Sequence, residues 1–151
     1  MIDRVVDLAL DVPKIVMEAA VPASSPVFEG HWPGYPVMPA VLLIETMAQT
    51  SGLLILARTR FARLPFLAAV KNAKIRRSVF PGETMTVEGL LLHEGSGFTV
   101  ARGQIHVGGK QVCEAELTHR VMPFPDPKVR AEIESVAAQV GLPLGVMSDA
   151  G

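Results

Sequence analysis

Two hydrophobic periods alternate along the chain. "DRVVDLAL" (3–10) and "KIVMEAAV" (14–21) are short β-rich runs separated by "DVP", and they predict two strands joined by a turn. Four later runs, "FLAAVKNAKI", "ETMTVEGLLLHE", "FTVARGQIHV" and "KQVCEAELTHRVM", have the same character and are separated by the turn signals "FPGE", "EGSG" and "GGK". In the last run, Cys113, Ala115 and Leu117 share one parity and should face the core, with Glu114, Glu116 and Thr118 outward. Between the two groups lies the loop "PASSPVFEGHWPGYP", followed by a helix predicted from near Pro39 through "AVLLIETMAQTSGLLILA". Apolar residues fall on every side of this helix, which predicts enclosure. "PFPDP" then breaks the sheet, and "KVRAEIESVAAQVG" predicts an amphipathic terminal helix stopped by Gly141. The order of elements predicts an α+β fold, an antiparallel sheet wrapped around one long helix. Residues 1–123 would form that domain and 124–151 an extension, helical at about 127–140.

Composition narrows this picture. At 151 residues the chain suits one domain, and with 49% hydrophobic but only 5% aromatic residues its core must be aliphatic. A net charge of −1 gives no overall attraction to nucleic acid or to an anionic membrane. The single cysteine, Cys113, excludes an internal disulfide framework and suits a reducing cytoplasm. The start, "MIDRVVDLALDVPK", carries three Asp and no continuous apolar run, so no secretory signal is read there. Residues 37–57 have the length of a membrane span, but Pro39, Glu45, Gln49, Thr50, Ser51 and Gly52 argue for a core helix.

The candidate chemistry centres on Glu45 and His31. A carboxylate in apolar surroundings holds its proton more tightly and so becomes a general acid. The plainer alternative is that Glu45 emerges at an exposed patch or pairs with an arginine. His31, fourteen positions earlier among Gly30, Pro33 and Gly34, has the residue type of a general base, or of an ordinary surface-loop histidine. The loop leads into a helix N-terminus, whose unpaired N–H groups suit a carbonyl oxygen gaining charge. His106 should point outward, His93 lies at a strand end, and His119 has the parity of a satisfied strand-end residue. HExxH and CxxC metal spacings, the three-glycine dinucleotide fingerprint and the GxSxG nucleophile elbow do not occur. Seven of the fourteen basic residues (Arg58, Arg60, Arg63, Lys71, Lys74, Arg76 and Arg77) fall in one short stretch, and no acid occurs from Thr46 through Gly82. Such a cluster either steers an acidic partner or is an ordinary solvated face.

"GHWPGYPVMPAVLLIETMAQ" resembles the signature of the hotdog-fold 3-hydroxyacyl-[acyl-carrier-protein] dehydratases, the FabZ/FabA group, and "FLAAVKNAKIRRSVFPGETMTVEGLLL" and "GKQVCEAEL" are similar to its later strands. The resemblance covers about residues 2–122 and implies dehydration of (3R)-3-hydroxyacyl thioesters to trans-2-enoyl thioesters. It assigns His31 as the catalytic histidine, Glu45 as the catalytic acid, and Val37 as the residue whose carbonyl orients the histidine. Ala40 falls where the family usually has a glycine whose N–H holds the thioester oxygen. Glu rather than Asp at position 45 resembles the FabZ side of the group, hence dehydration without isomerisation. The resemblance further implies a homodimer with shared active sites or a trimer of dimers, and acyl carrier protein as partner, docked by the basic cluster. No cofactor is implied beyond the phosphopantetheine arm of the substrate, and no metal. The tail and the local motifs "VFEGH", "HEGSGF" and "VMPF" are similar to a branch associated with very-long-chain acyl groups of lipid A. A hotdog acyl thioesterase and a non-catalytic acyl-binding protein are the alternative readings.

Overall fold

The computed structural model describes residues 2–23 and 37–143. Strands β1 (Arg4–Ala9) and β2 (Lys14–Ala20) are followed by helix α1 (Ala40–Arg58). Next come β3 (Leu64–Ile75), β4 (Thr84–Glu94), β5 (Phe98–Val107), β6 (Lys110–Met122) and the terminal helix α2 (Pro127–Gln139). The six strands form one antiparallel sheet in the order β1-β2-β4-β5-β6-β3. One face of this sheet curls around α1, which is the architecture expected from the element order.

Alternation along the strands places the core. On β6, Cys113, Ala115 and Leu117 are buried and Glu114, Glu116 and Thr118 are only partly so. A bulge opposite Ile105 and His106 lets the adjacent Val112 bury as well. Burial pushes the Cys113 thiol up to about 11, helped by neighbouring Glu114, so this cysteine behaves as a small hydrophobe rather than a nucleophile. His106 does face outward, with its Nδ1 4.0 Å from Glu88.

Two paired glycines let the helix lie close to the sheet. Gly89 on β4 and Gly103 on β5 are cross-strand neighbours beneath α1. A Cβ on Gly103 would sit 2.8 Å from Met47 Cβ, and one on Gly89 would sit 3.3 Å from the Ser51 Cα. The buried hydroxyls of α1 turn back onto their own helix. Thr46 donates to the Leu42 carbonyl (2.7 Å) and Thr50 to that of Thr46 (2.9 Å), so neither is left unsatisfied. By length and mean hydropathy (1.7) α1 would pass for a membrane span, yet 67% of that window is buried inside the protein.

Enclosure is not uniform along α1. From Thr50 to Ala57 every residue is buried, but Val41, Glu45 and Gln49, spaced one turn apart, form an exposed stripe on the N-terminal half. The all-round apolar pattern therefore overstated the burial of this helix. Edge strand β3 exposes Phe66, Val70 and Ile75.

Helix α2 is capped by Asp126, whose carboxylate accepts from Lys128 N–H at 2.6 Å, with Pro127 at its first position. It ends at Gly141, whose φ of +86° suits a left-handed stop. Ala137, Val140 and Leu142 join the cluster formed by Leu53, Leu54, Ile55, Leu56 and Phe61, and Val5 N–H donates to the Val140 carbonyl at 2.7 Å.

Candidate active site

Pro39 caps α1 with φ −58°, the value its ring imposes, and accepts from the Leu42 and Leu43 amides through its carbonyl. Ala40 is the first helical residue, so its N–H belongs to the turn that has no intrahelical acceptor. Val37 is buried just before it, and Met38 N–H is held by the Val79 carbonyl at 2.8 Å. His31 lies outside the described residues.

Glu45 follows in the second turn. It is exposed in the single protomer, which is the plainer of the two expectations drawn from the sequence. The Gln49 amide donates to Glu45 Oε1 at 3.1 Å, leaving Oε2 without a partner among the described residues. This contact was readable from the i,i+4 spacing but was not drawn from the sequence.

The Glu45 carboxylate opens onto a cleft of about 460 Å³ running along α1. Ala48, Gln49, Gly52, Leu53 and Leu56 line its helix side, Leu64, Pro65 and Leu67 of β3 form a second wall, and α2 contributes Ile133 and Val136, with Val140 just after it. The lining is mostly apolar, with few polar groups, as in sites for hydrocarbon ligands. One of these few is His119 on β6, 2% exposed, whose Nε2 lies 2.8 Å from Ser51 Oγ. Ser51 also reaches the Met47 carbonyl at 2.9 Å. Two hydrogen bonds form if Ser51 donates to Met47 and His119 Nε2–H donates to Ser51, which makes Nδ1 the bare nitrogen. That nitrogen is buried and has no hydrogen-bond partner among the described residues. Burial pushes His119 down to about 4, so the ring is neutral at physiological pH. Strand parity identified the burial of His119, but its partner, sixty-eight positions away, had no local signal.

The basic stretch is divided by tertiary pairing. Arg58 makes a two-point contact with Glu94 (2.9 and 2.7 Å) and donates to the Leu10 carbonyl. Arg76 pairs with Glu114 (2.9 Å) and Gln111, and Arg77 pairs with Glu83 (3.1 and 2.9 Å). Arg60 stands in the turn after α1 with φ +53°. Arg63, Lys71 and Lys74 are exposed and carry no ion pair among the described residues.

A sheet curled around one helix, with a carboxylate at the mouth of an apolar cleft, defines a hotdog protein. A protein from Streptococcus mutans crystallised bound to acetyl CoA superposes with a TM-score of 0.63 at 15% identity, covering 82% of this chain and 90% of that one. The chain belongs to the FabA-like domain family, whose model matches residues 1–116. Among its relatives, the 3-hydroxyacyl-[acyl-carrier-protein] dehydratase FabZ of Pelotomaculum thermopropionicum is 39% identical over 122 residues, which is 80% of this chain and 86% of that protein. The bifunctional enzyme LpxC/FabZ of Chlorobaculum tepidum is 36% identical over 124 residues. The match takes in 81% of this chain but only 26% of that longer protein.

Proposed function

We infer that this protein is a 3-hydroxyacyl-[acyl-carrier-protein] dehydratase of fatty acid biosynthesis, a hydro-lyase. The observation that carries the reading is Glu45, steadied by Gln49 and leaving one oxygen open at the mouth of an apolar cleft. In this reading His31 removes the C2 proton of the (3R)-3-hydroxyacyl thioester. The amide of Ala40, at the positive end of α1, stabilises negative charge on the thioester oxygen. Glu45 protonates the departing C3 hydroxyl, which leaves as water and yields the trans-2-enoyl thioester. Protons and electrons balance with a base and an acid alone, and the phosphopantetheine arm belongs to the substrate. Glu rather than Asp at position 45 supports dehydration without a following isomerisation.

Two copies build the site. Glu45 and Gln49 of the exposed stripe share the cleft with edge strand β3, and that edge, with exposed Phe66, Val70 and Ile75, is a surface a second copy would cover. Glu45 of one chain then meets His31 of the other, and Val37 supports that histidine through its carbonyl. Arg63, Lys71 and Lys74 receive the acidic carrier protein, with Arg58, Arg60, Arg76 and Arg77 as the surrounding positive field. A cytoplasmic location fits the buried, reduced Cys113.

His31→Ala and Glu45→Gln should each lower turnover by about a hundredfold to ten-thousandfold while leaving the unfolding transition unchanged. Enoyl absorbance from a (3R)-3-hydroxyacyl thioester reads the rate. Release of free thiol without enoyl product would identify a thioesterase instead.

A further inference from the structure

Helix α2 lies outside the 1–116 match to the FabA-like domain, yet it forms part of the cleft that opens at Glu45. The cleft follows one face of α1 through Glu45, Gln49, Gly52, Leu53 and Leu56. Eleven residues at a helical rise of 1.5 Å place its far end about 16 Å from the carboxylate's level. The α2 residues belong to that far end. Ile133, Ala137 and Val140 cluster with Leu53 through Ala57 of the C-terminal half of α1, whereas Leu43 and Met47 of the N-terminal half belong to a different cluster. The attachment is firm, because Ala137 is fully buried and the Val140 carbonyl is bonded to β1. One residue does not fit a helix that merely caps the core. Val136 is 55% exposed although it lines the cleft, so an apolar side chain is held open where an apolar ligand would cover it.

We propose that α2 is the distal wall of the acyl-binding cleft and that Val136 is a specificity residue setting how long an acyl chain the enzyme accepts. This rests on the dehydratase reading, in which the thioester reacts at Glu45 and the hydrocarbon runs away from it. The occupant is the substrate's acyl chain. The cleft is mostly apolar and elongated along the helix, and its charged group stands at the end where the chemistry occurs. Val136 makes no contact with the reacting atoms and governs only how much chain fits beyond them.

Val136→Trp adds bulk at an exposed helical position, where the folded state tolerates it. Rates are measured with (3R)-3-hydroxyacyl pantetheine thioesters of increasing length, together with the oligomeric mass of each variant. The expected result is a length cutoff moved to shorter chains. Long substrates should lose about tenfold or more in kcat/KM, with short substrates and oligomeric mass unchanged. Val136→Ala should move the cutoff the other way. A length profile superimposable on the parent's would overturn the proposal. So would an equal loss at every length with a changed oligomeric mass, since α2 would then be packing on a second copy. Calorimetric binding of saturated acyl pantetheines tests the same wall without turnover. If the parent binds them with a Val136-dependent cutoff but forms no enoyl product, the dehydratase reading fails and the wall stands.

Discussion

Replacing His119 with Leu tests the buried polar pair at the cleft. In the folded protein His119 is neutral because burial lowers its pKa from 6.5 to about 4. In the unfolded chain the ring recovers its ordinary value. Between those two values the unfolded state binds a proton that the native state refuses, so stability falls as pH falls through that window. The contribution is fully present above about pH 6.5 and levels off below about pH 4. The gap between the two values, at 1.36 kcal/mol per unit, corresponds to about 3 kcal/mol. His119→Leu removes this slope. Near neutral pH the variant should lie within about 1 kcal/mol of the parent, because the lost 2.8 Å bond to Ser51 is offset by removing a buried nitrogen that has no partner among the described residues. Ser51 keeps its bond to the Met47 carbonyl. Urea unfolding at fixed protein concentration, from neutral to mildly acidic pH, measures both chains. Carboxylates titrate alike in the two proteins, so the difference curve isolates His119. Parallel pH–stability curves would refute the account of a neutral, desolvated ring.

Further outcomes follow from the seat of the helix and from the basic surface. Gly103→Ala places a methyl 2.8 Å from Met47 Cβ, a carbon fixed to the helix backbone, so α1 must shift. A loss of about 1–3 kcal/mol in urea unfolding is expected, and an unchanged midpoint would contradict the close approach. Combined charge reversal of Arg63, Lys71 and Lys74 to Glu should raise KM for carrier-bound substrate several-fold while leaving pantetheine thioesters unaffected. An equal effect on both substrates would assign these residues to stability rather than to docking.

The strands were legible because their signal is local. β-rich runs bounded by turn signals gave all six, with ends close to those observed, and alternation in the last correctly identified the face carrying Cys113, Ala115 and Leu117. The same holds for α2, whose Asp126 cap and Gly141 stop are written in neighbouring residues. The motif around Glu45 likewise pointed to the family from the chain alone. Long-range register decided the rest. Arg58 and Arg76 stand in an acid-free stretch, but the packing of α1 and sheet pairing carry Glu94 and Glu114 to them, whereas Arg77 meets Glu83 across the short turn before β4. For the largely apolar α1, enclosure and an exposed patch at Glu45 were both open readings, because which side the sheet leaves uncovered depends on the order of strands rather than on helical periodicity. The Ser51–His119 pair and the contribution of α2 to the cleft join segments far apart in sequence. Short-range pattern determines which element a segment becomes, whereas a site assembled from several elements exists only once the whole sheet has closed around the helix.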